Sequence, residues 1–496
     1  MTDPETPTRV GPAAPTGLPA AMEVGSEEIG EAVSSHPEGS RMPKRQILPI
    51  LIAQFTLYVA FVAPSAFSLA IRVESIDPTT KDIVLALAIG IPGVIAIFLT
   101  PFVGVLSDRT RSRLGRRRPW LVFGGVLGLV GSSVIGLGES APLLIVGWTV
   151  AFLGYTFCSV MILAHFGDRL PASQRGRVMG INGAITQIAP LVGIVAAGAF
   201  TATPALMFLV PGIVAFLGLV LFVLTMKDPR ATGPAPALRT GELFQGFWFN
   251  PRRYPNLAWV WLSKALVFVA LALMQIYGVY LLGSRLGLDP AGVAGLVAVV
   301  GAGGIATAIL GAIGSGWLSD KLGTRKPFLV VSALTLAVGL LVTATISSPG
   351  QYILGSLIGS LSIGVYGAVD QAISLDVLPA DEDQNGRFIS TLGLANQVPQ
   401  AVGPFFAAGV LAVFGGDYSW VYIVAAAFAA LGALAILPIS VGTRATLATT
   451  STRVIADARG AALGDGGAPL GRGSGARSLG HWSDEHQSPR HPADHQ

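Results

Sequence analysis

Three ionisable side chains lie within apolar stretches of this sequence, in YGAVDQAISLDVLP (Asp370), MILAHFGDRL (His165) and WLSKALVFVALALMQIYGVY (Lys264). Ionisable groups in apolar surroundings cost free energy and usually have a function. A carboxyl group in a partly dry cavity can take up and release a proton, and histidine titrates near neutrality. We expect Asp370 to be the main proton-carrying group, with His165 and Lys264 as further candidates. The alternatives are an ion pair for Asp370, packing for His165, and for Lys264 a side chain that extends to the polar surface.

The densest charge of the chain lies in GVLSDRTRSRLGRRRPW, at residues 104–120, between two apolar runs. This stretch holds Asp108 and six arginines: Arg109, Arg111, Arg113, Arg116, Arg117 and Arg118. A carboxylate at the end of a helix can form strong hydrogen bonds with neighbouring arginines and with the N-terminus of an adjacent helix. The alternative is that these cations only orient the flanking segments.

Two motifs of the first half of the chain return in the second half, in the same order. GVLSDRTRSRLGRRRPWLV at 104–122 returns as GWLSDKLGTRKPFLV at 316–330, which contains Asp320, Lys321, Arg325 and Lys326. GDRLPASQRGRVMGINGAITQIAPLVG at 167–193 returns as LDVLPADEDQNGRFISTLGLANQVPQAVG at 375–403. The second pair matches Asp168 with Asp376, Arg177 with Arg387 and Gln187 with Gln397. Parallel repeats of this kind predict two similar halves with a binding site between them.

The composition indicates a membrane protein with helical spans. Only 12% of the 496 residues are charged and 52% are hydrophobic, whereas soluble domains carry about 25% charged residues. Spanning segments need roughly 20 apolar residues and must satisfy their backbone groups internally, so they form helices. We expect twelve spans, near 47–71, 83–107, 120–138, 142–167, 178–202, 205–226, 257–283, 291–318, 327–347, 350–378, 387–414 and 418–441. The fold class is therefore an all-α membrane protein with twelve transmembrane helices in two pseudo-symmetric six-helix bundles.

The polar segments set the domain boundaries and the orientation. The predicted bundles cover 46–226 and 257–442, joined by a linker at 227–256, with disordered tails at 1–45 and 443–496. Lysine and arginine concentrate in the loops on one side, and such loops are cytoplasmic by the positive-inside rule. We therefore expect both termini in the cytoplasm. The Ala-, Gly- and Arg-rich tails favour a bacterial inner membrane.

The loop at 104–120 resembles the signature loop of the Major Facilitator Superfamily, and the resemblance covers about residues 45–441. The fuller form, SDRTRSRLGRRRPW, is similar to the sugar–cation branch, the glycoside–pentoside–hexuronide and sucrose-type carriers. The resemblance implies a cytoplasmic latch that holds the two halves together when a carrier faces outward. Its members here would be Asp108, Arg109, Arg116 and Arg117, and the second-half group Asp320, Lys321 and Arg325. We expect the residues that flank the other repeated loop to form a similar cytoplasmic charge network, with a solvated loop as the alternative: Asp168, Arg177, Asp376 and Arg387.

The second span lacks the acids that bind sodium in melibiose-type symporters, since none lies between Asp82 and Asp108. That departure from the family pattern leaves a proton, or no ion, as the coupling species. Hydrogen-bonding and aromatic side chains on the spans are the candidates for recognising a sugar: Gln54, Tyr58, Gln187, Gln275, Tyr277, Tyr366, Gln371, Asn396 and Gln397. The alternative for each is a hydrogen bond between helices.

These patterns predict a secondary transporter that moves a small polar solute, a sugar or a glycoside, by alternating access with a proton. The alternatives are an exporter of amphipathic compounds, favoured by APLVG at 189–193, and a membrane sensor that transports nothing. No enzyme motif, nucleotide loop or metal-ligand spacing is found, so we expect no enzymatic activity, cofactor or metal. The partners would be a solute, a proton and the bilayer, with no nucleic acid, and the chain would act as a monomer.

Overall fold

The computed structural model describes residues 42–228, 249–377 and 385–439, all within one compact unit. The second unit, Gly442–Gln496, lies outside the described residues. The predicted tails therefore lie almost wholly outside them, as does most of the predicted linker. The backbone of Arg387 is helical, but its side chain is also outside the description.

Twelve long helices run through the described ranges, each at one of the predicted spans. They are α1 (Lys44–Ile76), α2 (Lys81–Arg109), α3 (Arg118–Leu137), α4 (Ala141–Arg169), α5 (Ala172–Gly198), α6 (Leu206–Thr225), α7 (Pro255–Ile276 and Gly278–Leu286), α8 (Pro290–Leu322), α9 (Lys326–Ala344), α10 (Pro349–Asp376), α11 (Asn385–Val413) and α12 (Ser419–Ile436). Eleven are long and apolar enough to cross a bilayer. The twelfth, α11, has a similar length but carries Asn396, Gln397 and Gln400 in its middle.

The first helix of each half is irregular at a similar distance from its start. In α1, 20 α-helical residues precede a π-helical segment at Pro64–Ser68. Proline has no N–H to donate and clashes with the preceding turn, which explains the local change of pitch. In α7, 22 helical residues precede a break at Tyr277. Both irregularities lie far from the arginine-rich loop at 110–117.

The helices pack as two bundles that repeat one another. In the first half the main pairs are α1 with α5 and α6, α2 with α4, and α3 with α4 and α6. The same five pairs recur in the second half with every label raised by six. Glycines allow the closest approaches: a Cβ on Gly131 would overlap the backbone N of Ala151, and one on Gly339 would lie 2.8 Å from the carbonyl oxygen of Gly355. Two symmetry-related pairs, α2 with α11 and α5 with α8, join the bundles. The predicted pseudo-symmetric fold is confirmed.

Candidate functional site

Two opposite ends of the bundle are used as reference points below. The arginine end holds the loops at 110–117 and 323–325, and the tyrosine end holds the loops at 77–80, 287–289 and 414–418. Every helix runs between these two ends.

The two ionisable candidates of the second half form one buried ion pair. Lys264 Nζ on α7 lies 2.7 Å from Asp370 Oδ2 on α10, and the two side chains are 14% and 8% exposed. Each residue stands on a helix that begins or ends at the arginine end, nine residues after Pro255 and six before Asp376. A buried charge is tolerated when it is paired. The structure thus joins into one site two residues that the sequence treats separately.

Two hydroxyl groups lie near this ion pair. Ser263, next to Lys264, donates a hydrogen bond from Oγ to the Gly432 carbonyl at 2.9 Å. Tyr366, one turn before Asp370, is buried and shares a hydrogen bond with Ser263. Tyr366 therefore stands beside the ion pair.

The first half has no equivalent of this pair. When Asp168 is matched with Asp376, the residue six positions earlier is Ile162 in place of Asp370. His165, the titratable candidate of this half, is buried with its ring edge-on to Phe222, at 5.4 Å between centroids. Among the described residues, a buried ion pair of this kind therefore lies in the second bundle and has no counterpart in the first.

The first-half arginines bind carboxylates of their own bundle. Arg117 is only 4% exposed and its Nη2 lies 2.6 Å from Asp168 Oδ2, which also pairs with Arg116. Asp108 is half exposed and more distant, with 3.7 Å to Arg116 and 3.9 Å to Arg117. Asp228 accepts from the backbone N–H groups of Arg117 and Arg118, at 2.6 and 2.9 Å. Asp168 is therefore the closer partner of these arginines.

The second-half arginine end repeats this arrangement. Arg325 pairs with Asp376 on α10, which is the counterpart of Asp168. Asp320 is exposed, and no described cation lies within ion-pair distance of it. Lys321 lies over the Trp317 ring, at 4.9 Å from its centroid. Arg177 is exposed and Arg109 half-buried.

Three tyrosines join the two halves at the tyrosine end. Tyr277 donates to the Asp82 carbonyl at 2.9 Å, Tyr418 to Asp82 Oδ1 at 2.8 Å and Tyr280 to the Ala70 carbonyl at 2.9 Å. The donors belong to the second half and the acceptors to the first. Lys81 pairs with Glu74 at 2.5 Å and its ammonium lies 4.6 Å from the centre of the Tyr280 ring. These contacts close this end.

Glycines on the four helices between the bundles show that the arginine end is open. Toward the tyrosine end, a Cβ on Gly93 of α2 would lie 3.1 Å from Ala401 on α11, and one on Gly198 of α5 would lie 2.7 Å from Ala294 on α8. Toward the arginine end, a Cβ on the described glycines of these helices would meet no atom of the other half. It would meet nothing within 4 Å at Gly104, Gly176, Gly180, Gly183, Gly314, Gly316 and Gly393, and the same holds for Gly295 and Gly409 nearer the tyrosine end. The halves therefore meet at the tyrosine end and separate toward the arginine end.

The solute candidates differ in exposure and position. Gln187 and Gln397, the symmetry-related pair, are both exposed, as are Gln275 and Gln371, and Asn396 is half-buried. Gln54 is 5% exposed and its Oε1 has no partner among the described residues. Tyr58 packs edge-on to Phe61, with 6.4 Å between ring centroids. Tyr277 is fully buried and its hydroxyl is occupied at the closed end.

Three residues of the contacts at the tyrosine end were not predicted from the sequence. Tyr280, Tyr418 and Asp82 all stand at helix ends, where aromatic and charged residues are common. Their partners lie 195 to 336 positions away along the chain. The sequence signal available was the clustering of Tyr277 and Tyr280 in one span. Among the described residues, no group of His, Cys, Asp and Glu could hold a metal ion.

Known structures share this fold at low sequence identity. The nucleoside transporter NupG aligns with a TM-score of 0.66 at 11% identity, over 79% of this chain and 99% of that chain. A bacterial homolog of the human lysosomal transporter Spinster, inward-facing and unoccupied, gives 0.60 at 15%, over 80% and 99%. A D-xylose–proton symporter gives 0.55 at 17%, over 79% and 95%. At these identities the likeness shows the fold alone.

A family model identifies the chain more directly. No curated protein matches the sequence. The model of the Major Facilitator Superfamily matches residues 50–314 and 298–469, which is most of the chain. Together with two six-helix bundles that meet at one end and open at the other, this match identifies the chain as a transporter that belongs to the Major Facilitator Superfamily.

Proposed function

We propose that this transporter moves a small polar solute, a sugar or a glycoside, together with a proton. The observation that carries the proposal is the buried ion pair of Lys264 and Asp370. Among the described residues, this ion pair lies within the spans, whereas the other ion pairs lie near the helix ends. The resemblance of the loop at 104–120 to sugar–cation carriers supports the solute class.

Protonation of Asp370 would change the ion pair in a way that a carrier can use. A neutral carboxyl group holds an ammonium group far less strongly than a carboxylate does. Lys264 would then be free to turn toward the opening and to donate hydrogen bonds to a solute. When Asp370 loses its proton, the ion pair would form again, and Lys264 would no longer bind the solute. The two ligands are thereby coupled through one lysine.

Neutral side chains along the opening suit a solute rich in hydroxyl groups. Gln187, Asn396 and Gln397 supply donors and acceptors without net charge, which favours an uncharged ligand. Tyr58 and Phe61 supply aromatic faces, as sugar sites commonly need. We assign direct contact with the solute to these side chains and to Gln371, on the same helix as Asp370.

The orientation follows from the distribution of cations. With the arginine end in the cytoplasm, the arrangement described above is inward-facing and both termini are cytoplasmic. Asp108, Arg116 and Arg117 would then close the cytoplasmic side in the opposite arrangement, together with the second-half group around Arg325. The halves rock about the central site between these two arrangements.

A transport assay in proteoliposomes tests the proposal. With wild-type protein and an inward pH gradient, we expect uptake of at least one radiolabelled sugar or glycoside, with proton entry in step. Asp370→Asn should abolish uphill uptake and keep exchange of solute across the membrane. Glu139→Gln, which neutralises an exposed carboxylate outside both the latch and the ion pair, is the matched control and should behave as wild type.

Other outcomes separate the alternatives. Sugar uptake that ignores the pH gradient would contradict proton coupling. Proton-driven efflux of an amphipathic dye, with no sugar uptake, would replace the proposal with that of an exporter. The absence of any flux would favour a sensor.

A further inference from the structure

A cavity of about 200 Å³ lies within the second bundle, on the tyrosine side of the ion pair. Its walls come from α7, α8, α9, α10 and α12, with one residue, Ala66, from α1 of the first half. Since α9 and α12 pack inside the second bundle, the cavity stands beside the path between the halves. The lining residue nearest to the ion pair along α10 is Ile363, which lies seven residues before Asp370, about 10 Å along a helix. The cavity therefore does not include the ion pair.

The irregular segments of both halves meet at this cavity. Gly278 follows the break of α7 at Tyr277, and Ala66 lies in the π-helical segment of α1. A helix end leaves carbonyl groups without helical partners. Tyr422 satisfies one of them, since its hydroxyl donates to the Met274 carbonyl at 3.0 Å. Helix interruptions beside a cavity in a membrane protein commonly mark ligand sites.

The lining is uncharged and mainly apolar, with several hydrogen-bonding groups among its apolar side chains. Among the described residues that surround the cavity, none carries a charged side chain. Hydroxyl and amide groups come from Thr343, Ser356, Ser360 and Gln275, and Tyr352 shares a hydrogen bond with Ser356. Gly355 and Gly359 line the wall beside these hydroxyls and leave space for them. Such a lining disfavours an ion and suits an uncharged ring that combines apolar faces with a few hydroxyl groups.

The volume limits the size of the ligand. Drug-sized ligands occupy pockets of about 300–1,000 Å³. A cavity of about 200 Å³ is too small for them and for a disaccharide, yet it exceeds the space of a single water, about 30 Å³, several times. A single ring of the size of a hexose or a cyclitol matches it.

We propose that this cavity is a second binding site, beside the transport path, for a compact uncharged molecule with hydroxyl groups. Occupancy stabilises the arrangement closed at the tyrosine end, because Ala66 completes the wall from the other half. Separation of the halves at that end removes this wall, so the ligand has a higher affinity for the closed arrangement. The site does not depend on which solute the transporter carries or on proton coupling.

Cysteine labelling of the full chain in lipid nanodiscs tests this site without a transport assay. Cys158 is the single cysteine and is fully buried, so wild-type labelling gives the background. Ser356→Cys places a thiol in the cavity. Ser362→Cys is the matched control on the same helix, because Ser362 is 1% exposed and donates to the Ser332 carbonyl at 2.6 Å. Labelling rates with neutral methyl methanethiosulfonate are followed by intact-protein mass spectrometry.

The expected pattern has three parts. Ser356→Cys should react at least tenfold faster than Ser362→Cys. Myo-inositol or D-glucose should slow this reaction at least fivefold, and D-glucuronate, a charged ring of similar size, should not. The protection should weaken when Tyr277, Tyr280 and Tyr418 are all replaced by phenylalanine.

Defined results overturn the proposal. Equal labelling of the two positions would show that the cavity is inaccessible, and rapid labelling that neither uncharged ring slows would show that it holds only water. Ser360→Cys repeats the measurement should Ser356→Cys fail to fold. Failure of sugar uptake with protection intact would refute the proposed transport function and leave the second site standing.

Discussion

The two ends of this transporter hold their helices in opposite ways. At the tyrosine end, neutral hydroxyl groups of one half donate to the backbone and carboxylate of the other. At the arginine end, ion pairs such as Arg117 with Asp168 and Arg325 with Asp376 stay within one half. Hydrogen bonds across the closed end set the arrangement of the halves. Ion pairs at the open end stabilise each bundle separately.

The largest effect should come from removal of the tyrosine hydroxyls. Each hydrogen bond contributes about 1 kcal/mol, so replacing Tyr277, Tyr280 and Tyr418 together by phenylalanine should shift the equilibrium between the two arrangements about 100-fold toward opening of the tyrosine end. Distances between spin labels on Glu139 and Ser348, exposed residues of the two halves at this end, measure the shift. Unchanged distances would contradict the assignment of these hydroxyls as the contacts that close this end.

A smaller shift in the same direction is expected from Gly93→Ala. The added Cβ would lie 3.1 Å from Ala401 Cα and 3.2 Å from its Cβ, closer than ordinary contact. Overpacking of this kind costs about 1–3 kcal/mol, and separation of the halves relieves it. Gly183→Ala is the matched control, because its Cβ would meet nothing within 4 Å. The same spin-label distances should change for the first variant alone.

Asp108→Asn should have a modest effect, and mainly on the opposite arrangement. At 3.7 and 3.9 Å from its arginines and half exposed, Asp108 contributes about 0–1 kcal/mol in the arrangement described here. If it belongs to the latch of the outward-facing state, its loss should favour the present arrangement about threefold. Accessibility labelling from both sides of the membrane measures this, with Asp320→Asn for comparison. Populations of the two arrangements identical to those of wild type would show that Asp108 does not belong to the latch.

The smallest effect concerns the loop that leads into α2 at the tyrosine end. Hydrogen bonds from the Thr79 and Thr80 hydroxyls lower the pKa of Asp77 to about 2. Because this pKa is lowered in the folded protein, the contribution of Asp77 is present above its ordinary value near 4 and is lost as the pH falls through about 2. Between pH 5 and 8 Asp77 should therefore stay ionised and contribute nothing to any pH dependence of the distances at the tyrosine end. Thr79→Val should raise the pKa of Asp77 toward its ordinary value, as carboxyl-group NMR titration would show.

Much of the fold was predictable from the sequence because a bilayer restricts the possible structures. Runs of apolar residues near 20 in length must be helices, so the positions of the spans follow from hydropathy. The two repeated motifs were sufficient to predict the pseudo-symmetric halves. The breaks at Pro64 and Tyr277 were less predictable, since proline within a span gives a hint and Tyr277 gives none.

The candidate site was predictable only as a set of residue types. Asp370 and Lys264 were recognised because charges are rare inside apolar segments. Their pairing was not predicted, because the two residues are 106 positions apart in the sequence. The partner of Arg325 was expected at Asp320, on the same loop, whereas the bundle places Asp376 of α10 beside it. Contacts between helices depend on rotation and tilt, which hydropathy does not encode.

The sequence by itself determined the number and place of the spans, the two-fold repeat and the rarity of buried charge, because each follows from the cost of polar groups in hydrocarbon. Only the tertiary structure decided that Lys264 meets Asp370, that three tyrosines close one end, and that the other end stands open. Those features depend on helix packing, which brings together side chains that are far apart in the sequence. A local sequence pattern does not determine which distant residues come into contact.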